Sequence, residues 1–294
     1  MAGIAAAIAI VAGVLAVFVP AISAGRDDSS RQAAAPQRTA PSADPQKQPT
    51  AASSLALAAA PVTLNFDGFL SWALLDEQGQ ISGSENLAEG TWVGSVVKAW
   101  IVADYLRGRA EQGQRPGLTR LDQARRAIRD SNDPAAEALY RAAGGTAQLR
   151  RMISICELTD TTIEGSRWRS VRMSARDAAR LGRCVTDGRA AGPSWTEWVR
   201  KELTKVRGSL AEVDQPFGGR WGIIDGLPAE LADGAGIKNG WIIVKSEGEW
   251  HVNCLGVADR WSLAVLTRYP ADRGLKYGAE ACAKVTAQLL TSTS

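Results

Sequence analysis

Histidine is nearly absent from this chain, which contains one, His251, among its 294 residues. A Ser-His-Asp triad would therefore have to use His251. None of the four cysteines belongs to a Cys-x-x-Cys pair, so we expect no zinc site. The positive excess is only +3, and the sequence has no long Lys/Arg run, so we expect no nucleic-acid partner. With 45% hydrophobic and 22% charged residues, the composition is that of an ordinary globular protein, and nothing in it requires a cofactor.

The cysteines are even in number, which in an exported chain indicates disulfides. Equal separations along the sequence favour a local pairing of Cys156 with Cys184 and of Cys254 with Cys282. Three pairings are possible for four cysteines, and the sequence alone leaves all three open.

The N-terminal residues indicate export. Residues 2–24 carry no charge and are numerous enough to cross a bilayer as a helix. A cleaved signal peptide is the alternative, because Ala21-Ile22-Ser23 resembles a cleavage site, although the positive segment expected before the apolar run is missing. We favour an uncleaved membrane anchor over residues 1–24. In either case we expect the remainder outside the cytoplasm.

Composition divides the rest of the chain into two parts. Residues 25–61 are rich in Ala, Pro, Ser and Gln, and such a segment buries too little apolar surface to offset its ordering entropy. We therefore predict a flexible linker over 25–61 and a globular domain over 62–294. Within the domain we predict a strand hairpin from 62 to about 83, strands at 236–244, 250–257 and 261–269, and helices at 94–110, 119–129, 134–143, 146–155, 174–185, 194–205 and 276–290.

The stretch from Thr91 to Leu106, TWVGSVVKAWIVADYL, contains the Ser-x-x-Lys pair Ser95 and Lys98 at the start of an apolar helical run. Residues three apart share a helix face, so the amine of Lys98 can lie beside the Ser95 hydroxyl and take its proton. Backbone N–H groups at the helix start can stabilise an oxyanion there. The pair alone is weak evidence, because an incidental serine and a lysine on a buried helix give the same pattern.

Two later motifs strengthen the case. Ser131-Asn132-Asp133 lies at a junction between two predicted helices, and Lys238-Asn239-Gly240 lies on a predicted strand. In order and context the three motifs resemble those of the penicillin-recognising serine enzymes, the class A β-lactamases and D-alanyl-D-alanine peptidases. The resemblance implies an α+β fold with two lobes, an antiparallel sheet flanked by helices and an all-helical lobe.

The resemblance also implies roles for individual residues. Ser95 would attack a carbonyl carbon and become acylated, while Lys98 accepts or relays its proton. Ser131 would pass a proton to the leaving nitrogen, and Lys238 would attract a substrate carboxylate. Backbone N–H groups of Ser95 and Trp241 would form the oxyanion hole.

The substrate-contacting positions are where this sequence departs from the family. Asp133 stands where the family has an amide that recognises substrate, unless Asn132 substitutes for it. Asn239 replaces a hydroxyl but can still donate to a carboxylate, and Gly240 leaves room for substrate beside the strand. No Glu-x-x-Leu-Asn precedes Ser174, and Glu164 lies in surroundings that do not match the water-activating glutamate of class A enzymes.

These features predict a monomeric, extracytoplasmic serine hydrolase or transferase that acts on β-lactams or D-alanyl-D-alanine-type cell-wall peptides. Because the glutamate is missing, we expect slow release of the acyl group. The alternative is a non-catalytic binding module that keeps the fold. We interpret His251 as a structural or site-rim residue, because Ser95 already has a lysine partner.

Overall fold

The computed structural model describes residues 54–212 and 218–293, which lie in a unit extending from Ala51 to Ser294. The strands are β1 Ser54–Leu57, β2 Phe69–Leu75, β3 Ile81–Gly83, β4 Gly90–Trp92, β5 Thr162–Ile163, β6 Val171–Ser174, β7 Gly236–Ile237, β8 Gly240–Val244, β9 Glu249–Val257, β10 Ser262–Pro270 and β11 Leu290–Thr293. The α-helices are α1 Lys98–Glu111, α2 Leu118–Arg129, α3 Asp133–Ala142, α4 Thr146–Ile155, α5 Ala175–Thr186, α6 Thr196–Leu203, α7 Ala229–Ala232 and α8 Gly274–Gln288.

The main sheet is six-stranded and antiparallel, in the order β3-β2-β10-β9-β7, and β8 also pairs with β9. The central strand β10 is buried along nearly its whole length, as its apolar sequence SLAVLTRYP requires when helices cover the sheet. Helices α5 and α8 both pack against it. The predicted α+β fold is therefore confirmed.

The core of the helical lobe is α1. Its first nine residues are all buried, including Trp100, Ile101 and Leu106, which are 0% exposed. A helix segment that is buried on every face belongs in the middle of a lobe, and α1 accordingly contacts α2, α3, α4, α5 and α6. Lys98 begins this helix and is buried with it.

Short strands with distant partners are the elements that the sequence did not reveal. β4, β5 and β6 form a small three-stranded sheet. β1 pairs with β11, although the two strands lie at opposite ends of the unit's sequence. β1 lies inside the segment predicted to be a linker, so the ordered structure begins eight residues before the expected boundary at 62. The hairpin prediction was confirmed for β2 and β3, but residues 62–68 are not strand.

Both disulfides of the local pairing are present. Cys156–Cys184 ties the end of α4 to α5, and Cys254–Cys282 ties β9 to α8. The predicted anchor and most of the predicted linker lie outside the described residues. Within residues 54–212 and 218–293, no helix combines the length and apolarity needed to cross a membrane.

Candidate active site

Ser95 lies in a single 3-10 turn, Gly94–Val97, which immediately precedes α1. The sequence predicted that the α-helix itself would begin at Gly94. Gly94 has a φ of +54°, a conformation that glycine adopts without penalty, and the buried Val96 and Val97 anchor the turn in the core. Residues three apart eclipse one another in a 3-10 turn, so Ser95 and Lys98 lie on one side.

The hydroxyl of Ser131 lies between two buried lysines. Lys238 Nζ donates to Ser131 Oγ at 2.9 Å, and Lys98 Nζ lies 3.3 Å from the same oxygen. Lys98 also donates to the backbone carbonyl of Ser131. Ser131 occupies the left-handed region, with a φ of 53°, at the junction between α2 and α3. The predicted residues Lys98, Ser131 and Lys238 therefore lie together.

Burial makes both amines easier to deprotonate. It lowers the pKa of Lys98 from 10.5 to about 8, although the neighbouring Asp133 carboxylate acts in the opposite direction. It also lowers the pKa of Lys238 well below 10.5, and the charge of Lys98 adds to that effect. A lysine that is partly neutral near neutral pH can accept a proton.

In the second motif, Asn132 has a structural contact and Asp133 contacts the site. Asn132 caps α3, because its side-chain oxygen accepts from the backbone N–H of Ala135 at 2.9 Å. Asp133 contacts Lys98 Nζ at 2.5 Å and Arg169 at 2.6 Å. The side-chain oxygen of Asn132 is therefore used to cap α3, and it does not take the place of the family's amide at position 133. The carboxylate of Asp133 lies beside Lys98 instead.

The Lys98 amine points to Ser131 and Asp133. Within residues 54–212 and 218–293 the Ser95 hydroxyl makes no hydrogen bond, including to Lys98, although the two residues lie on the same side of the turn. Catalytic hydrogen bonds are often long or absent before substrate binds.

Gly240 brings the sheet edge against the Ser95 turn. A Cβ atom built on Gly240 would lie 2.2 Å from the carbonyl oxygen of Val93, 2.8 Å from Ser95 N and 3.0 Å from Val96 N. No side chain fits at this approach, so the glycine is required by packing against backbone.

The N–H group of Trp241 points toward the Ser95 turn. Lys238 donates its backbone N–H to Leu255 in β9, and the β7–β8 register is continuous through Lys238 and Asn239. Alternate residues of a strand direct their N–H groups to opposite edges, so the N–H of Trp241 points away from β9. A Cβ atom built on Gly94 would lie 3.6 Å from Trp241 N, which confirms that this amide borders the turn.

Asn239 does not face the site as expected. Its side chain is 0% exposed, and its amide donates to the backbone carbonyls of Gly219 at 2.8 Å and Trp221 at 2.7 Å. The side chains of Lys238 and Asn239 leave opposite faces of the strand, so only Lys238 points to Ser131. The Asn239 amide is thus engaged by two backbone carbonyls, and the expected donation to a substrate carboxylate stays a prediction.

Trp168 and Arg169 border the site, and no motif in the sequence pointed to either residue. The ring of Trp168 is buried, and it lies 5.0 Å from Lys98 Nζ and 4.9 Å from the Arg169 guanidinium. Glu164, in the same loop, instead pairs with Arg172 at 3.2 Å and is half-exposed. An aromatic ring and an arginine, rather than Glu164, therefore lie beside Lys98.

His251 does not contact Ser95. Its Nδ1 pairs with Thr91 Oγ1 at 2.5 Å and its Nε2 with Glu247 at 3.0 Å, so it joins β4 to the β8–β9 hairpin. Burial lowers the pKa of His251 and favours the neutral ring. The structural interpretation of this residue fits these contacts. Glu247 and Glu249 approach it as metal ligands could, but Arg172 and Arg268 pair with those two carboxylates.

No protein-family model and no curated protein matches this sequence. Solved structures do match. A β-lactamase from Desulfarculus baarsii has a TM-score of 0.57 at 17% identity, covering 75% of this chain and 91% of that one. A class A β-lactamase from Mycobacterium abscessus has the same TM-score and identity, covering 76% and 93%. A class A representative from Bacteroides cellulosilyticus reaches 0.60 at 12% identity, covering 76% and 92%. The chain thus has the fold of class A β-lactamases, as the three motifs predicted.

Proposed function

We propose that the protein is a serine hydrolase or transferase that forms an acyl-enzyme through Ser95. Its substrates would be β-lactams or D-alanyl-D-alanine-type cell-wall peptides. The observation that carries this proposal is the meeting of Lys98, Ser131 and Lys238 beside the Ser95 turn. These residues come from three distant segments, so a chance coincidence of all three motifs in one cleft is improbable.

The proposed acylation uses each group once. Neutral Lys98 takes the proton of the Ser95 hydroxyl as its oxygen attacks the substrate carbonyl carbon. The N–H groups of Ser95 and Trp241 stabilise the negative oxygen that forms. As the bond from the carbonyl carbon to the leaving nitrogen breaks, Ser131 gives its proton to that nitrogen and takes the proton held by Lys98, which returns both groups to their starting state. Lys238 lies on the leaving-group side, where its amine can donate a hydrogen bond to a substrate carboxylate.

Release of the acyl group would be slow. Hydrolysis of the ester needs a base that activates water. Asp133 is held by Lys98 and Arg169, and Glu164 is held by Arg172. Trp168 fills the space beside Lys98 with a ring that cannot accept a proton. We therefore propose an acyl-enzyme that persists or that transfers its acyl group to another nucleophile.

A non-catalytic binding module is the second candidate, and the ion pair between Lys98 and Asp133 favours it. The carboxylate accepts from Lys98 Nζ and acts to raise the pKa of the lysine, which opposes the loss of the proton that catalysis requires. A protein with this arrangement could bind the same ligands without reacting.

The test is covalent labelling. The domain is incubated with a fluorescent penicillin and, separately, with a general serine-hydrolase probe, and the adduct is located by mass spectrometry. We expect one adduct at Ser95, none in Ser95→Ala, and slow decay of the adduct after excess probe is removed. A folded protein that neither probe labels would identify the binding module, and rapid hydrolysis of nitrocefin would contradict slow release.

The acylation rate should rise with pH through about 8. Below the lowered pKa of Lys98, about 8, the lysine is protonated and cannot accept the serine proton. Asp133 raises that pKa, so in Asp133→Asn the pKa falls and the rise moves to lower pH. A base with a pKa near 8 is about one tenth neutral at pH 7. Asp133→Asn can therefore raise the acylation rate at pH 7 by at most about tenfold.

Labelling rates measured from pH 5 to 10 in both proteins check this prediction. The control is Asp122→Asn, which removes an exposed carboxylate that pairs with Arg126 on α2. An unchanged midpoint in Asp133→Asn, or a higher one, would show that Lys98 is not the base.

The cellular location is part of the proposal. Two disulfides are consistent with an oxidising compartment outside the cytoplasm. We propose that residues 1–24 hold the enzyme at the outer face of a membrane, where cell-wall peptides are found. Fractionation of the full chain, compared with a form beginning at residue 51, distinguishes anchoring from release.

A further inference from the structure

A groove of 360 Å³ opens on the helical lobe next to the site. It is lined by Asp133, Pro134, Glu137, Arg141, Arg167, Trp168 and Arg169. Asp133 and Trp168 are shared with the site, because the first pairs with Lys98 and the second lies against it. A substrate whose carbonyl carbon is at Ser95 could therefore extend into this groove.

The contacts fix the order of groups along the cleft. Lys238 contacts Ser131, Ser131 contacts Lys98, Lys98 contacts Asp133, and Asp133 contacts Arg169. The groove thus lies at the end opposite Lys238. In the proposed reaction Lys238 and Ser131 serve the leaving group, so the acyl part of the substrate points toward the groove.

The charge of the groove is positive. Arg141 pairs with Glu137 at 2.6 Å, and Arg169 pairs with Asp133 at 2.6 Å. Arg167 is exposed and has no acidic partner in the described part of the chain. Three guanidinium groups against two carboxylates leave one positive charge without a counter-ion, and Arg167 carries it. Arginine suits a carboxylate because its planar fork can donate two hydrogen bonds.

We infer that the groove selects acyl donors that carry a carboxylate on the acyl side of the reacting carbonyl, and that Arg167 is the residue that recognises it. This inference rests on the proposed function, since it takes the acyl part of the substrate to point away from Lys238. The preferred substrate is then a diacid, with one carboxylate toward Lys238 and the second toward Arg167.

A matched pair of penicillins tests this inference. Carbenicillin is benzylpenicillin with a carboxylate added to its acyl side chain. We expect carbenicillin to acylate Ser95 faster than benzylpenicillin, and Arg167→Gln to reduce that preference about fivefold, the size of one partly exposed ion pair. The rate with benzylpenicillin should change less than the rate with carbenicillin. Arg167→Lys should retain most of the preference, and Arg167→Glu should reverse it.

Arg150→Gln is the control, because Arg150 is exposed on α4 and does not line the groove. A preference that is unaffected by Arg167→Gln and Arg167→Glu would overturn the inference while leaving acylation intact. To separate the two proposals, binding of both penicillins to Ser95→Ala is also measured through tryptophan fluorescence. Tighter, Arg167-dependent binding of carbenicillin without acylation of the parent protein would refute the proposed function alone. Equal binding of the two penicillins, unaffected by Arg167→Gln, would overturn the inference even if nothing reacts.

Discussion

Lys98→Met should reduce the rate at which penicillin acylates Ser95 by about 10³-fold, within the range found for loss of a general base. Methionine fills nearly the same volume in a position that is 0% exposed, so the core around α1 stays packed. Asp133 is not left unpaired, because Arg169 contacts it at 2.6 Å. The loss would therefore come from the missing amine rather than from a damaged fold.

The measurement is the second-order labelling rate across pH, together with the melting temperature. The variant should melt within a few degrees of the parent, and its residual rate should not rise through pH 8. Lys201→Met, which changes an exposed lysine on α6, is the matched control. Labelling of Lys98→Met within tenfold of the parent would remove Lys98 from the mechanism.

Gly240→Ala is expected to reduce acylation by at least about 10²-fold, the effect of losing one oxyanion donor. The new methyl carbon would lie 2.2 Å from Val93 O and 2.8 Å from Ser95 N. At these distances the methyl group would clash with backbone atoms of a packed interior, so strand β8 or the Ser95 turn would have to shift. The shift would separate the Ser95 and Trp241 amides, which must act on one oxygen.

Gly234→Ala provides the comparison, because a Cβ atom at Gly234 meets nothing within 4 Å and its φ is not left-handed. It should leave labelling and melting temperature unchanged. Gly240→Ala should also lower the free energy of unfolding by about 1–3 kcal/mol, as overpacked variants do. A Gly240→Ala protein that labels like the parent would show that the amides at 95 and 241 do not form one oxyanion site.

Periodic patterns predicted the long elements of this fold well. Helix α4 was expected at 146–155 and lies at Thr146–Ile155, because its apolar spacing and flanking glycines are local signals. β1 and β11 were missed because their pairing joins segments at opposite ends of the unit. β5, with two residues, is too short to show any periodicity. Pairings of this kind are decided by the tertiary structure and not by local sequence.

Within the site, sequence order located the residues but not the direction of their side chains. Lys238 and Asn239 are neighbours, yet one faces Ser131 and the other is buried against Trp221. Asn132 was considered as a substitute for the missing amide, but its side-chain oxygen caps α3. Trp168 lies beside Lys98 through the path of a loop, and its sequence context, SRWRSV, contains nothing that specifies that path.

The backbone at Ser131 shows how this chain balances folding against chemistry. A left-handed φ of 53° disfavours serine relative to glycine by about 1 kcal/mol. Selection for a robust fold alone would favour glycine at this junction. A hydroxyl at this position therefore lowers thermal tolerance, and in the proposed mechanism it provides a proton carrier that contacts with Lys98 and Lys238 hold in place.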